Sequence, residues 1–142
     1  MNNQTLKKFG YPKTKIKTYN NWVLLLRPEQ ITLGAMVLFY KKDVTAISDV
    51  SVSAFNELKK VVSDLENSLK TNFNYDKINY LALMMVDKCV HFHIIPRYSK
   101  NVSFNSMVFR DYGWPKLPNF QKINSIDEGG LLSIKQKIMS GF

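Results

Sequence analysis

Cys89-Val90-His91-Phe92-His93-Ile94-Ile95-Pro96-Arg97-Tyr98 holds both histidines of a 142-residue chain. Apolar positions alternate in it with positions that carry chemistry, which is the pattern of a β-strand. On a strand Val90, Phe92 and Ile94 face one side, while Cys89, His91 and His93 face the other. Same-face neighbours sit roughly 6.5–7 Å apart, so the two imidazoles can flank one phosphate-sized group. Pro96 is expected to end regular pairing, because proline has no N–H to give to a ladder.

Working outward, Asn21 to Arg27 reads as a buried strand and Gly34 to Tyr40 as a second. The short link Pro28-Glu29-Gln30-Ile31-Thr32-Leu33 makes the two antiparallel. Lys41 to Val50 is a polar loop. Residues 51–71 are a helix, with Val52, Phe55, Leu58, Val62, Leu65 and Leu69 as its apolar stripe and Ser51 as N-cap. Ile78 to Val86, apolar on both faces, is expected as a central strand, joined to the histidine strand 89–95 by Asp87-Lys88 alone. Residues 98–126 read as irregular, and a second helix spans about Asp127 to Met139, with Leu131, Ile134, Ile138 and Met139 inward. The class is α+β: an antiparallel sheet with one long helix and a C-terminal helix. Residues 1–16, punctuated by Gly10 and Pro12, read as a loosely ordered basic arm; 17–142 form a single domain whose C-terminal loop and helix occupy 98–142.

The composition suits a globular domain, with 45% hydrophobic residues. The longest apolar run, Leu81 to Val86, is too short to span a membrane, and the first residues lack the apolar core of a signal peptide. A single cysteine excludes an internal disulfide and suits a cytoplasmic setting. The net charge of +9 is concentrated before residue 29 and after residue 87, so the histidine run lies in a positive block. Such a field favours phosphate-bearing ligands over cationic ones.

The histidine run resembles the signature of the histidine triad (HIT) superfamily, His-φ-His-φ-His-φ-φ with φ apolar. The register here is Cys89-Val90-His91-Phe92-His93-Ile94-Ile95, followed by Pro96-Arg97. Arg27 to Gly34 is similar to the family's hairpin, and the order of a long helix followed by two strands is also shared. Tyr112-Gly113-Trp114-Pro115 resembles a bacterial branch of dinucleoside polyphosphate hydrolase-like proteins. Three departures stand out. Cys89 replaces the first histidine, the Gly/Gln loop before the motif is missing, and Arg27 falls where several branches place a ribose-binding Asn.

The resemblance implies a hydrolase or transferase acting at the α-phosphate of dinucleoside polyphosphates or small adenylated compounds. His91 is then the nucleophile and His93 its catalytic support. Arg27, Gln30, Cys89, Arg97 and Trp114 are the substrate-binding candidates. In the family a backbone carbonyl at the first triad position holds the nucleophile's other nitrogen, and Cys89 keeps that carbonyl. No cofactor is required, although a divalent cation can accompany the substrate phosphates. A homodimer formed through the sheet is implied as well.

Each candidate also has a plainer role. Cys89 can be a small buried hydrophobe, Arg97 a structural arginine, Arg27 and Gln30 hairpin closers, and Trp114 part of the tail's core. Two other functions rank lower. Zinc can bind Cys89, His91 and His93, with Asp87 or Asp111 as a fourth ligand. Single-stranded nucleic acid suits the basic segments, but no recognised nucleic-acid motif is present. A catalytically weak nucleotide-binding module is the alternative to an enzyme.

Overall fold

The computed structural model describes residues 3–142. The chain runs α1 (Asn3–Lys8), β1 (Lys15–Thr18), β2 (Trp22–Leu26), β3 (Met36–Tyr40), a 3₁₀ turn (Ile47–Asp49), α2 (Val52–Phe73), β4 (Lys77–Leu81), β5 (His91–Arg97), β6 (Val102–Phe104), β7 (Met107–Phe109) and α3 (Glu128–Met139). The first five strands form one antiparallel sheet in the order β1-β2-β3-β5-β4, and β6 and β7 form a separate hairpin. This is the α+β architecture read from the sequence.

The sheet is covered on both faces, and the alternation of each strand decides what goes where. Trp22, Leu24 and Leu26 of β2, Met36, Leu38 and Tyr40 of β3, and Ile94 of β5 belong to the core shared with α2 and α3. From the helices this core takes Ala54, Val61, Leu65, Leu69, Ile134 and Ile138. The buried stripe of α2 is therefore rotated from the expected one, and Val52 and Phe55 are exposed. Ser51 caps α2 as expected, its hydroxyl accepting from the N–H of Ala54 at 3.1 Å. Asn74 ends the helix in the left-handed conformation at φ 50°.

The opposite face carries Val23, Leu25, Val37 and Phe39, which bury against Leu6 and Phe9. The loose arm expected at residues 1–16 is thus corrected. Its basic composition masked two apolar side chains that cover the sheet, and β1 pairs with β2 across residues 15–18. Gly10, at φ 86°, turns the chain between α1 and β1.

Three further expectations change. The apolar run 78–86 is not a central strand: β4 ends at Leu81 and lies at the sheet edge, while Leu83, Met85 and Val86 are exposed in the loop 82–90. Pro96 does not end pairing, since it stands opposite Ile78 of β4. Val90 O accepts from Tyr40 N of β3, so Phe92, Ile94 and Pro96 also direct their backbone polar groups toward β3. The β3 register stops at Ile94, and the N–H that Pro96 lacks has no partner to serve. Finally, the stretch 98–126 contains the β6–β7 hairpin, turned by Asn105 and Ser106 at positive φ.

Candidate active site

The histidine face of β5 is built by its partner strands. His91 stands opposite Phe39 and His93 opposite Val37. The His91 ring stacks on Phe39 with centroids 5.4 Å apart, and the two imidazoles meet edge to face at 5.0 Å. Phe9 of the α1 segment lies against both Phe39 and His93.

Hydrogen bonding assigns opposite tautomers to the two rings. His91 Nδ1 lies 2.7 Å from the carbonyl oxygen of Cys89. A carbonyl only accepts, so Nδ1 carries a proton, and in the neutral tautomer the lone pair is on Nε2. His93 Nδ1 lies 3.1 Å from Nη1 of Arg27. A guanidinium only donates, so this Nδ1 accepts and the proton sits on Nε2. Burial, then the nearby Arg27 charge and His91, lower the His93 pKa to about 4. In their neutral forms the two rings thus carry their protons on opposite nitrogens, Nδ1 of His91 and Nε2 of His93.

His93 opens onto a cavity of about 330 Å³ lined by Lys8, Phe9, Arg27, Pro28, Glu29, Leu83, Asp87, His93 and Phe120. A polar cleft of about 410 Å³ lies beside it, lined among others by Gln4, Thr5, Asp43, Val86 and Cys89. Lys8 and Asp87 belong to both and form an ion pair at 2.9 Å, a bar between the two spaces. His91 itself is only 2% exposed.

The expected site residues separate into two groups. His91, His93 and Arg27 come together, with the Cys89 carbonyl behind them. The Cys89 side chain joins the apolar cluster under α1, where burial, its leading effect, raises the thiol pKa. Gln30 is closed into its own loop, so its side chain is not available for substrate. Its Nε2 donates to the carbonyls of Arg27 and Ala35, and its Oε1 accepts from Gly34 N. Arg97 also turns out to be structural. Its Nε and Nη2 grip Asp111 at 2.7 and 3.1 Å, and its Nη1 donates to Asn79 at 2.8 Å. Trp114 is half-buried in a turn and is not among the residues lining the cavity.

Phe120, and not Trp114, lines the cavity. Its ring stands 5.6 Å from His93 and 5.1 Å from the Arg27 guanidinium carbon. Asn124 tethers this loop, its Nδ2 donating to Gln30 O at 3.0 Å and its Oδ1 accepting from Arg110 N at 2.9 Å. Lys8, Phe9, Leu83 and Phe120 had no sequence signal of their own, because each reaches the site from an irregular or terminal segment. Among the described residues, no group of three or more His, Cys, Asp and Glu side chains is placed to hold a metal ion. Asp111, offered as a zinc ligand, is bound to Arg97.

No protein-family model and no curated protein sequence matches the chain. Solved structures do match. A histidine triad protein from Sinorhizobium meliloti superposes with a TM-score of 0.79 at 19% identity, over 100% of this chain and 96% of that one. One from Marinobacter aquaeolei gives 0.78 at 19% identity, over 99% and 94%. A zinc-bound histidine triad family protein from Mycobacterium smegmatis gives 0.64 at 12% identity, over 96% and 90%. The chain has the histidine-triad fold. In that fold His91 and His93 stand on the penultimate strand of the five-stranded sheet order, next to edge strand β4. No helix among the described residues is long and apolar enough to cross a membrane.

Proposed function

We propose that this chain is a HIT-type nucleotide hydrolase or transferase acting at an α-phosphate, with His91 as nucleophile. The observation that carries the proposal is the 2.7 Å contact between His91 Nδ1 and the Cys89 carbonyl, which places the proton of the neutral ring on Nδ1 and its lone pair on Nε2. Nε2 attacks phosphorus. An N–P bond forms as the bond to the leaving group breaks, and the leaving group departs with the electron pair and takes up a proton from solvent. Water then attacks phosphorus, the N–P bond breaks back to Nε2, and a nucleoside monophosphate is released. His93 Nε2–H donates to the phosphoryl oxygens, where neutral donors in a water-poor site stabilise developing charge. Dinucleoside polyphosphates and small adenylated compounds are the substrates proposed, in a cytoplasmic setting and without a resident cofactor. A divalent cation can enter with the substrate phosphates.

Because His91 is buried, a local opening has to precede contact between the phosphate and Nε2. The same burial, with Cys89 at the first triad position, favours a second reading as a nucleotide-binding module with weak catalysis. Incubation with α-labelled dinucleoside tetraphosphate separates the two. Acid-labile label on wild-type protein but not on His91→Asn supports the enzyme. Nucleotide binding with neither label nor product supports the binder. The proposed homodimer rests on an apolar patch beside edge strand β4, formed by Leu58, Val62, Tyr80 and Phe92. Sedimentation velocity tests it.

A further inference from the structure

Arg27 is buried with one edge of its guanidinium unused. The residue is 8% exposed and lines the cavity beside His93. Its Nη1 is occupied by His93 Nδ1. Its Nε is buried and, among the described residues, has no hydrogen-bond partner. Its Nη2 has only Glu29, at 3.9 Å, whose side chain is 62% exposed. Nε–H and an Nη2–H form the side fork of a guanidinium, the edge that grips a carboxylate or phosphate with two parallel bonds. Arg97 demonstrates that use in the same molecule, closing its own fork on Asp111. A buried donor left without an acceptor is destabilising, so such groups normally find a partner. Phe9 and Phe120 hold the guanidinium at 5.9 and 5.1 Å from their ring centres, so it is fixed in place.

We infer that Arg27 is a specificity-determining residue that holds a second anionic group of the substrate, a phosphate or carboxylate separate from the phosphate attacked by His91. This rests on the reaction proposed above. The fork lies on the side of Arg27 away from His93 Nδ1, and His93 Nε2, which serves the reacting phosphate, is on the far side of that ring. One anion therefore cannot occupy both places. The cavity, at about 330 Å³, has the size of a small ligand site. Its other charges do not oppose the assignment. Lys8 and Asp87 neutralise each other, and Glu29 is a solvated rim residue that an incoming anion replaces at little cost.

The test is a set of calorimetric titrations on the full chain with matched probes. One arm compares adenosine 5′-monophosphate with adenosine 2′,5′- and 3′,5′-bisphosphate, placing the second anion on the sugar. The other compares the adenylyl phosphoramidates of glycine and glycinamide, placing a carboxylate on the leaving group. Wild type is expected to prefer the doubly anionic member of one arm by about tenfold or more. Arg27→Gln is expected to erase that preference, read as the ratio of the two affinities within an arm, and Arg27→Lys to restore part of it. Equal wild-type affinities within both arms would overturn the inference without requiring any variant to fold. So would a wild-type preference kept in full by Arg27→Gln with an unchanged melting temperature. Label trapping on His91 scores the reaction separately: trapping without preference removes the anion fork alone, and preference without trapping removes the reaction alone.

Discussion

Two arginines flank the histidines, and their difference separates scaffold from site. Arg97 and Arg27 are 4% and 8% exposed, so both keep a charge away from water. Arg97 has Asp111 and Asn79 on all three of its nitrogens, and Asp111 also accepts from the N–H groups of Tyr98 and Gly113. It locks the end of β5 to the loop that follows β7. Arg27 has one good partner, His93, and an orphaned Nε. Burial lowers its pKa, and distant Glu29 only partly offsets this. The saturated cation ties two segments of the fold together, whereas the unsaturated one lines the cavity beside His93.

The largest expected effect lies between them, at His91. His91→Asn should reduce turnover by about 10⁴-fold or more, as loss of a covalent nucleophile does elsewhere, with circular dichroism unchanged. Wild-type rates in that variant on every nucleotide tried would remove the nucleophile assignment. Next comes the saturated arginine. Asp111→Asn leaves the Arg97 charge buried with its main partner gone, and urea unfolding should show a loss of about 3–5 kcal/mol. If the loss is within experimental error, Arg97 is not the structural member of the pair.

Arg27→Met should behave oppositely in the same assay. It removes an orphaned donor and a buried charge, so stability should stay within about 1 kcal/mol of wild type or rise. A loss as large as that of Asp111→Asn would erase the contrast. The smallest effect is in pH dependence. His93 has a folded pKa near 4, below its ordinary value of 6.5. Between those values the unfolded chain binds the proton more readily, so the stability owed to neutral His93 is full above pH 6.5 and is lost as pH falls toward 4. In Arg27→Met one of the causes of the depression is gone and the folded pKa moves back toward 6.5, so the acid-side loss still begins near pH 6.5 but should be smaller and end at higher pH. Thermal melts from pH 7 to 4 on both proteins check the direction.

Much of the fold was legible because burial imposes periods on the sequence. The 22–26 and 36–40 strands, the Ser51 cap and the 127–139 helix follow from spacing and capping chemistry. The run 78–86 misled because a short apolar stretch has no period to reveal how much of it is exposed. In the structure its second half is an open loop. Residues 3–9 misled in the reverse sense, since two apolar side chains among lysines make a weak signal yet cover half of a sheet face.

The alternation from Cys89 to Ile95 by itself determined that His91 and His93 share a face, because strand geometry leaves no other arrangement. The family resemblance added that a backbone carbonyl at position 89, present whatever the side chain, faces the His91 ring, and Nδ1 lies 2.7 Å from it. Tertiary structure alone decided which arginine is tied down and which is open, and that Phe120 rather than Trp114 lines the cavity. It also packed Leu6 and Phe9 onto the sheet face beside Cys89. Those outcomes depend on contacts between residues far apart in the chain, Arg27 with His93 and Lys8 with Asp87. Composition and spacing constrain only neighbours along the chain, and it is the closing of the sheet that brings these groups within bonding distance.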